Sequence, residues 1–289
     1  MTPELELIAN YHCHIGENPL WHPMEKKLYW LDIPTGTIFR YDPLSKTHEI
    51  VYRGDVTGGF TIQEDGSLLL FATRGAVHNL RNGSVKTIIG SLLDEENNRF
   101  NDVIADPKGR VFCGTMPFTL ESKGGHLYRL DLDGSFTKVV DNVGISNGMG
   151  FTRDLKTFYH SDSIARTICQ YDYDLDSGNI SNQRVFTLLP QEYGVPDGMT
   201  IDDEGFIWSA NWDGWRLVRY DSQANIERLI AFPTKKVSSL IFGGEDYSDI
   251  YVTTAGGDNL AENGETAGAL YRVRVGIKGR PEYLSNITV

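Results

Sequence analysis

The sequence HPMEKKLYWLDI, residues 22–33, joins a turn to a short apolar strand, and this combination recurs along the whole chain. Five further copies are EDGSLLLFAT from Glu64, DPKGRVFCGT from Asp106, TRDLKTFYHSD from Thr152, DDEGFIWSAN from Asp202 and GEDYSDIYVTT from Gly244. The copies follow one another at intervals of about 40 to 50 residues, which is the length of a four-stranded propeller blade. Six such units account for nearly all of the 289 residues.

A second alternating segment follows the first in every unit, as in GTIFRYDP from Gly36 and GHLYRLDLDG from Gly125. Apolar and polar side chains alternate in these segments, as in half-buried strands, and Asp, Gly, Pro or Asn turns end them. Helical periodicity is nearly absent; SLLDEENNRF from Ser91 is the best candidate. The pattern predicts an all-β, six-bladed β-propeller with four antiparallel strands per blade, as a single domain over residues 1–289. We expect one terminal strand to complete the last blade and leave no long exposed edge.

Polar residues recur about ten residues before each of these apolar strands, where the innermost strand of each blade begins. They are Glu17, Thr57, Asn101, Asn147, Asp197 and Ser239. Radial symmetry gathers them around one end of the central channel. Buried carboxylates are costly unless they are paired or bind a cation, so Glu17, Asn147 and Asp197 predict a metal site. Two carboxylates and an amide favour Ca²⁺, Mg²⁺ or Mn²⁺ over Zn²⁺. The alternative is a polar channel whose side chains bind only ordered water.

Arg99 and Asn101, in NNRFNDVIADP, add a guanidinium and an amide to the same ring. Both groups suit sugar hydroxyls or a substrate carbonyl. Arg99 has a second interpretation, in which it neutralises Glu17 or Asp197.

The charge balance favours a small ligand over a polyanion. Lys and Arg number 27 against 39 Asp and Glu, for a net charge of −12. A negative long-range field repels nucleic acid and anionic membranes. The first residues, MTPELELIAN, lack the basic start and apolar stretch of a secretory signal. We therefore expect a cytoplasmic protein whose partner is neither nucleic acid nor membrane; the sequence does not determine its oligomeric state.

Five ordered stretches resemble the family of gluconolactonase, senescence marker protein (regucalcin) and luciferin-regenerating enzyme. They are GENPLWHPMEKKLYWLDIPTGTIFRYDP from Gly16, RFNDVIADPKGRVFCGTM from Arg99, ISNGMGFTRDLKTFYHSDS from Ile145, YDYDLDSGNISNQRVF from Tyr171 and PDGMTIDDEGFIWSANW from Pro196. The resemblance implies a six-bladed propeller that binds one divalent cation, with Ca²⁺ expected first and Mg²⁺, Mn²⁺ or Zn²⁺ as alternatives. It assigns metal binding to Glu17, Asn147 and Asp197.

The resemblance further implies hydrolysis of a sugar aldonolactone to its open acid, with substrate contacts at Arg99 and Asn101. A further family carboxylate follows the G-T-M motif; here the loop after Met116 looks shortened and Glu121 is the candidate. Asp197 is predicted to remove a proton from the attacking water, because a carboxylate has a second oxygen besides the one that binds metal. The alternatives are a non-enzymatic, cation-binding regulatory propeller and hydrolysis of a different ester.

Gly144-Ile-Ser146-Asn147-Gly148 matches the G-x-S-x-G motif of serine hydrolases. That motif requires a helix after the serine, whereas MGFTRDLKTFYHSD predicts further strands. The sequence therefore argues against a serine nucleophile.

Overall fold

The computed structural model describes residues 3–119 and 124–288, and in these ranges the chain forms six four-stranded antiparallel sheets. The innermost strands are β2 (Gly16–His22), β6 (Thr57–Ile62), β10 (Asn98–Ala105), β14 (Ser146–Phe151), β18 (Val195–Ile201) and β22 (Lys236–Gly243). The second strands are β3 (Lys27–Asp32), β7 (Leu68–Ala72), β11 (Val111–Pro117), β15 (Thr157–Asp162), β19 (Ile207–Trp212) and β23 (Asp249–Ala255). The third strands are β4 (Thr37–Asp42), β8 (Val77–Arg81), β12 (Gly125–Leu130), β16 (Thr167–Tyr173), β20 (Arg216–Tyr220) and β24 (Ala269–Arg274).

Five outer strands come from the end of each unit, and the sixth comes from the start of the chain. They are β5 (Thr47–Arg53), β9 (Ser84–Ile89), β13 (Phe136–Val143), β17 (Ile180–Leu188), β21 (Ile226–Ala231) and β1 (Leu5–Asn10). Strand β1 pairs with β24, so the last sheet has the order β1-β24-β23-β22. The predicted six-bladed propeller and its closure by a terminal strand are both confirmed. The one α-helix in the described ranges, α1 (Leu260–Asn263), has four residues, and Leu93–Glu95, within the candidate helical segment, is a 3₁₀ turn.

Apolar cores lie between neighbouring blades. Trp208 and Leu217 of the fifth blade pack with Val237 and Ile250 of the sixth, and Trp30 of the first packs in the cluster of Tyr251 of the sixth. Each of the other blade pairs shares a cluster in the same way. Because a blade cannot bury both faces alone, this packing holds the innermost strands in a fixed ring.

Every innermost strand changes register close to its start. In β2 the shift lies between Glu17 and Leu20, and in β14 between Asn147 and Met149. Strands β6, β10, β18 and β22 carry shifts at the same level. A β-bulge bends the strand and re-aims its side chains, so all six strands are irregular where the polar ring lies.

The C-terminal segment, of which the structure describes residues 275–288, adds no strand in that range and instead crosses the opposite end of the channel. The amide nitrogens of Ser285 and Asn286 donate to the carbonyl oxygens of Ile62 and Gly109, which joins the segment to the second and third blades. Glu282 lines the channel at this end. The described residues include no helix long and apolar enough to cross a membrane.

Candidate functional site

A cavity of about 240 Å³ opens at the end of the channel where the innermost strands begin. Five predicted site residues line it: Glu17, Arg99, Asn101, Asn147 and Asp197. The other lining residues are mainly apolar: Ile15, Ile33, Met116, Ile145, Ser163, Ile164, Val195 and Trp212. The site is therefore a small cavity with apolar walls and a polar floor. The floor consists of Glu17, Arg99, Asn101, Asn147 and Asp197.

The two carboxylates on this floor are buried and poorly compensated. Asp197 is 4% exposed, and its carboxylate accepts no hydrogen bond from the described residues; Glu17 is 8% exposed and accepts one, from the backbone of Asn18. Burial, with Asp102 nearby, raises the pKa of Glu17 to about 8. Burial and the charge of Glu17 raise the pKa of Asp197 well above its usual value. Their lone pairs face the cavity, where they are available to a cation or a proton.

Arg99 supplies a positive charge that acts on both carboxylates. Burial lowers the pKa of its guanidinium to about 10, while Glu17 and Asp197 act in the opposite direction. The side chain therefore stays charged at neutral pH. Its Nη1 donates to the Asn101 Oδ1 at 2.7 Å and to the Phe100 carbonyl at 2.9 Å. When both carboxylates are ionised, one guanidinium charge faces two negative charges, and the floor is one positive charge short of neutrality until a cation or a proton binds.

The amides of the floor form a continuous hydrogen-bonded row. Asn101 Nδ2 donates to Asn147 Oδ1 at 2.7 Å and to the Ser146 carbonyl at 2.9 Å. Asn147 Nδ2 donates to Ser163 Oγ at 2.8 Å, and Ser163 Oγ donates to the Pro196 carbonyl at 2.7 Å. Asn101 is thus bonded within the floor through both ends of its amide.

The donor set of the floor fits a hard divalent cation. Within the described ranges, no group of three or more His, Cys, Asp and Glu side chains is placed to hold a metal ion. A cation here would bind two carboxylates and the Asn147 amide oxygen, whose second lone pair is not used by Asn101. Oxygen donors of this kind suit Ca²⁺ or Mg²⁺. The orphaned Asp197 carboxylate is the observation that supports this fit.

Some residues of the predicted ring do not line the cavity, and two residues near the site were not predicted from the sequence. Thr57 and Ser239 belong to the ring but do not line this cavity, and Ser239 lies deeper in the channel. Glu121 lies outside the described residues.

Ser163 was missed as a site residue: it follows β15, outside the innermost-strand register, so the repeat gives no signal for it. Asp102 was missed as well; it lines the channel, and burial raises its pKa to about 6.

Ser146, the serine of the G-x-S-x-G match, lies within hydrogen-bonding distance of a histidine. Its Oγ is 2.7 Å from His160 Nε2, and burial lowers the pKa of His160 to about 4. The Ser146 side chain is fully buried, is absent from the cavity lining and lies on β14, which leads to β15 rather than to a helix. A nucleophile needs access to substrate, so this pair is structural and the argument against a serine hydrolase holds.

Comparison with known proteins agrees with this geometry. Residues 15–256 match the family described as SMP-30/gluconolactonase/LRE-like region. A pentonolactonase of Haloferax volcanii is 46% identical over 97% of both chains, and regucalcin of Oryctolagus cuniculus is 37% identical over 97% of both. A solved luciferin-regenerating enzyme superposes with a TM-score of 0.90 at 28% identity, covering 99% of this chain and 100% of that one. The chain belongs to the SMP-30/gluconolactonase/LRE-like family.

Proposed function

We propose that the protein is a metal-dependent lactonase that hydrolyses a sugar lactone to the open aldonic acid in the cavity above the floor. One observation carries this proposal: two buried carboxylates, one without any hydrogen-bond donor among the described residues, face a small cavity beside an amide oxygen and one guanidinium. Such a floor is costly for folding alone, since burying a carboxylate without a partner is unfavourable.

The enzyme class rests on the relatives. The 46% identity to a pentonolactonase extends over 97% of both chains, and with family membership it confirms the predicted lactonase class. We propose that the substrate is a sugar lactone similar in size to a pentonolactone. Pockets for drug-sized ligands span about 300–1,000 Å³, and a cavity of about 240 Å³ suits a single ring.

The residues of the floor can divide the reaction between them. Glu17, Asn147 and Asp197 would hold a divalent cation, which would supply Lewis-acid polarisation of the lactone carbonyl and charge stabilisation of its oxygen. Arg99 contributes a fixed positive charge beside the lactone carbonyl oxygen, where negative charge develops during the reaction. Asp197 accepts a proton from the attacking water as the new C–O bond forms, and returns it to the ring oxygen when the lactone C–O bond breaks. Lactone and water thus yield the hydroxy acid, and no covalent enzyme intermediate is needed.

The apolar wall completes the site. Ile33, Ile145, Ile164 and Trp212 present C–H and aromatic surface that can cover one face of a sugar ring. When the substrate displaces water from this wall, the effective dielectric constant of the cavity falls. The electrostatic interactions of Arg99 and Asp197 with the reacting atoms then become stronger.

The test is a pH-drop assay on a panel of five- and six-carbon aldonolactones. We expect ring opening faster than in buffer, loss of activity with chelator, and recovery when Ca²⁺, Mg²⁺ or Mn²⁺ is restored. Protein with a full complement of metal that opens none of the lactones would contradict the proposal and support the cation-binding, non-enzymatic alternative. Activity that survives complete metal removal would contradict the metal dependence alone.

A further inference from the structure

We propose that Ser163 is a positioning residue that holds the Asn147 amide with its oxygen toward the cation. The inference rests on the proposed function, since it concerns how that site prepares one of its ligands. Only Oδ1 of an asparagine can bind a cation, whereas Nδ2 carries two hydrogens. The two ends of the amide have nearly the same shape, so the neighbouring hydrogen bonds must determine which end faces the cavity.

The first constraint comes from Pro196. Its carbonyl oxygen can only accept, so Ser163 Oγ, 2.7 Å away, must use its single hydrogen there. Ser163 Oγ then has only lone pairs to offer Asn147, 2.8 Å away. The group of Asn147 that faces Ser163 must therefore be Nδ2.

The second constraint comes from the other end of the row. Arg99 can only donate, and its Nη1 lies 2.7 Å from Asn101 Oδ1. Asn101 therefore turns Nδ2 toward Asn147, and the atom of Asn147 that accepts it, 2.7 Å away, must be Oδ1. A donor-only group and an acceptor-only group at opposite ends of the row thus select the same amide orientation.

Burial makes this selection strong. Ser163 is 3% exposed and Asn147 is 6% exposed, so water competes little for their hydrogen bonds. A reversed Asn147 amide would place Nδ2 against the Asn101 donor and Oδ1 against the Ser163 lone pairs, losing two bonds at once. Since Pro196 precedes Asp197 on β18, the Ser163 hydroxyl also ties the Asn147 ligand to the strand that carries Asp197.

The experiment compares Ser163→Ala with Ser161→Ala. Ser161 is a matched control because it is also buried, lies two residues away on β15, and has a hydroxyl with no hydrogen-bond partner among the described residues. Calorimetric titration with Mn²⁺ measures the affinity of each folded protein for the cation, and circular dichroism checks folding. Removal of outer partners of metal ligands typically lowers affinity about 10- to 100-fold. We expect a loss of about 10-fold for Ser163→Ala and less than about 2-fold for Ser161→Ala.

A second comparison separates positioning from general destabilisation. In Asn147→Asp both side-chain ends are oxygens, so orientation no longer matters, and adding Ser163→Ala to that variant should not lower its Mn²⁺ affinity further. Equal affinities for Ser163→Ala and Ser161→Ala would overturn the inference. An equal loss on adding Ser163→Ala to the wild-type protein and to Asn147→Asp would overturn it as well. If wild-type protein bound no Mn²⁺ at all, the proposed function would fail first.

Discussion

Two kinds of buried carboxylate occupy this propeller, and they differ in how their charges are compensated. Asp106 and Asp202, in the turns that follow β10 and β18, are fully buried and surrounded by donors. Asp106 accepts from Arg110 Nε at 2.6 Å, the Tyr173 hydroxyl at 2.9 Å and the backbone nitrogens of Lys108 and Arg110. Asp202 accepts from Trp208 Nε1 at 2.9 Å, Arg219 Nε at 2.8 Å and the backbone nitrogens of Glu204 and Phe206.

Glu17 and Asp197, on the floor of the cavity, are buried almost as deeply but have one backbone donor between them among the described residues. The difference teaches that burial alone does not distinguish the two kinds of carboxylate, whereas the number of hydrogen-bond donors around them does. The turn carboxylates stabilise the fold because their lone pairs are used. The floor carboxylates raise the free energy of the folded state and are available for chemistry.

The largest expected effect is on catalysis. Asp197→Asn keeps the size of the side chain but removes the proton acceptor, and general-base catalysis contributes about 10²- to 10⁴-fold. We expect turnover of the lactone to fall about 10³-fold. Steady-state hydrolysis measured on protein with a verified metal content checks this. Unchanged turnover in metal-loaded Asp197→Asn would remove Asp197 from the mechanism.

The matching change at a turn should act on stability instead. Arg219→Met leaves Asp202 buried without its ion-pair partner, which typically costs about 3–5 kcal/mol. We expect the free energy of unfolding in urea to fall by about that amount, while turnover per folded molecule is retained. If Asp197→Asn destabilised the chelated protein as much as Arg219→Met does, the contrast between floor and turn would be wrong.

The sequence repeat made the propeller fold and the positions of the ring residues predictable from sequence. Glu17, Asn147 and Asp197 could be located because they begin equivalent strands, and closure of the ring brings equivalent positions together. The role of Ser163 could not be predicted, because its partners Asn147 and Pro196 come from different strands and the repeat does not encode that contact. The path of the C-terminal segment was equally hidden, since PEYLSNITV reads as a possible strand, whereas residues 285–288 are held by separate backbone contacts to the second and third blades.

A smaller effect is expected in the pH dependence of stability without metal. The pKa of Glu17 is raised to about 8, so between about pH 4.5 and 8 the folded state binds more protons than the unfolded state. Stability is therefore lowest above pH 8 and rises as the pH falls toward 6, by about 2 kcal/mol from Glu17 alone. Thermal melts of chelated protein across this range check the sign.

Glu17→Gln is the control for that series. Asp102 and Glu282 also have pKa values raised by burial, to about 6 and about 7, and act in the same direction. The variant should therefore flatten the pH dependence without abolishing it. A chelated wild-type protein that lost stability steadily from pH 8 to pH 6 would contradict the account of the floor.

The smallest effect is expected at an exposed ion pair. Arg184 Nη2 lies 2.6 Å from Asp172 Oδ1, as close as the buried pairs, but both side chains are nearly half exposed. Solvent screens such pairs, and many contribute nothing measurable. Asp172→Asn should leave both the urea midpoint and turnover unchanged. A clear shift of the midpoint would show that distance matters more than burial in this fold.

The most direct test of the central claim is the position of a bound cation. Crystals soaked in Mn²⁺ and measured near the manganese absorption edge give an anomalous difference map that locates the ion. The account predicts a peak on the cavity floor, within bonding distance of oxygens of Glu17, Asn147 and Asp197. A peak elsewhere, with none on the floor at saturating Mn²⁺, would contradict it.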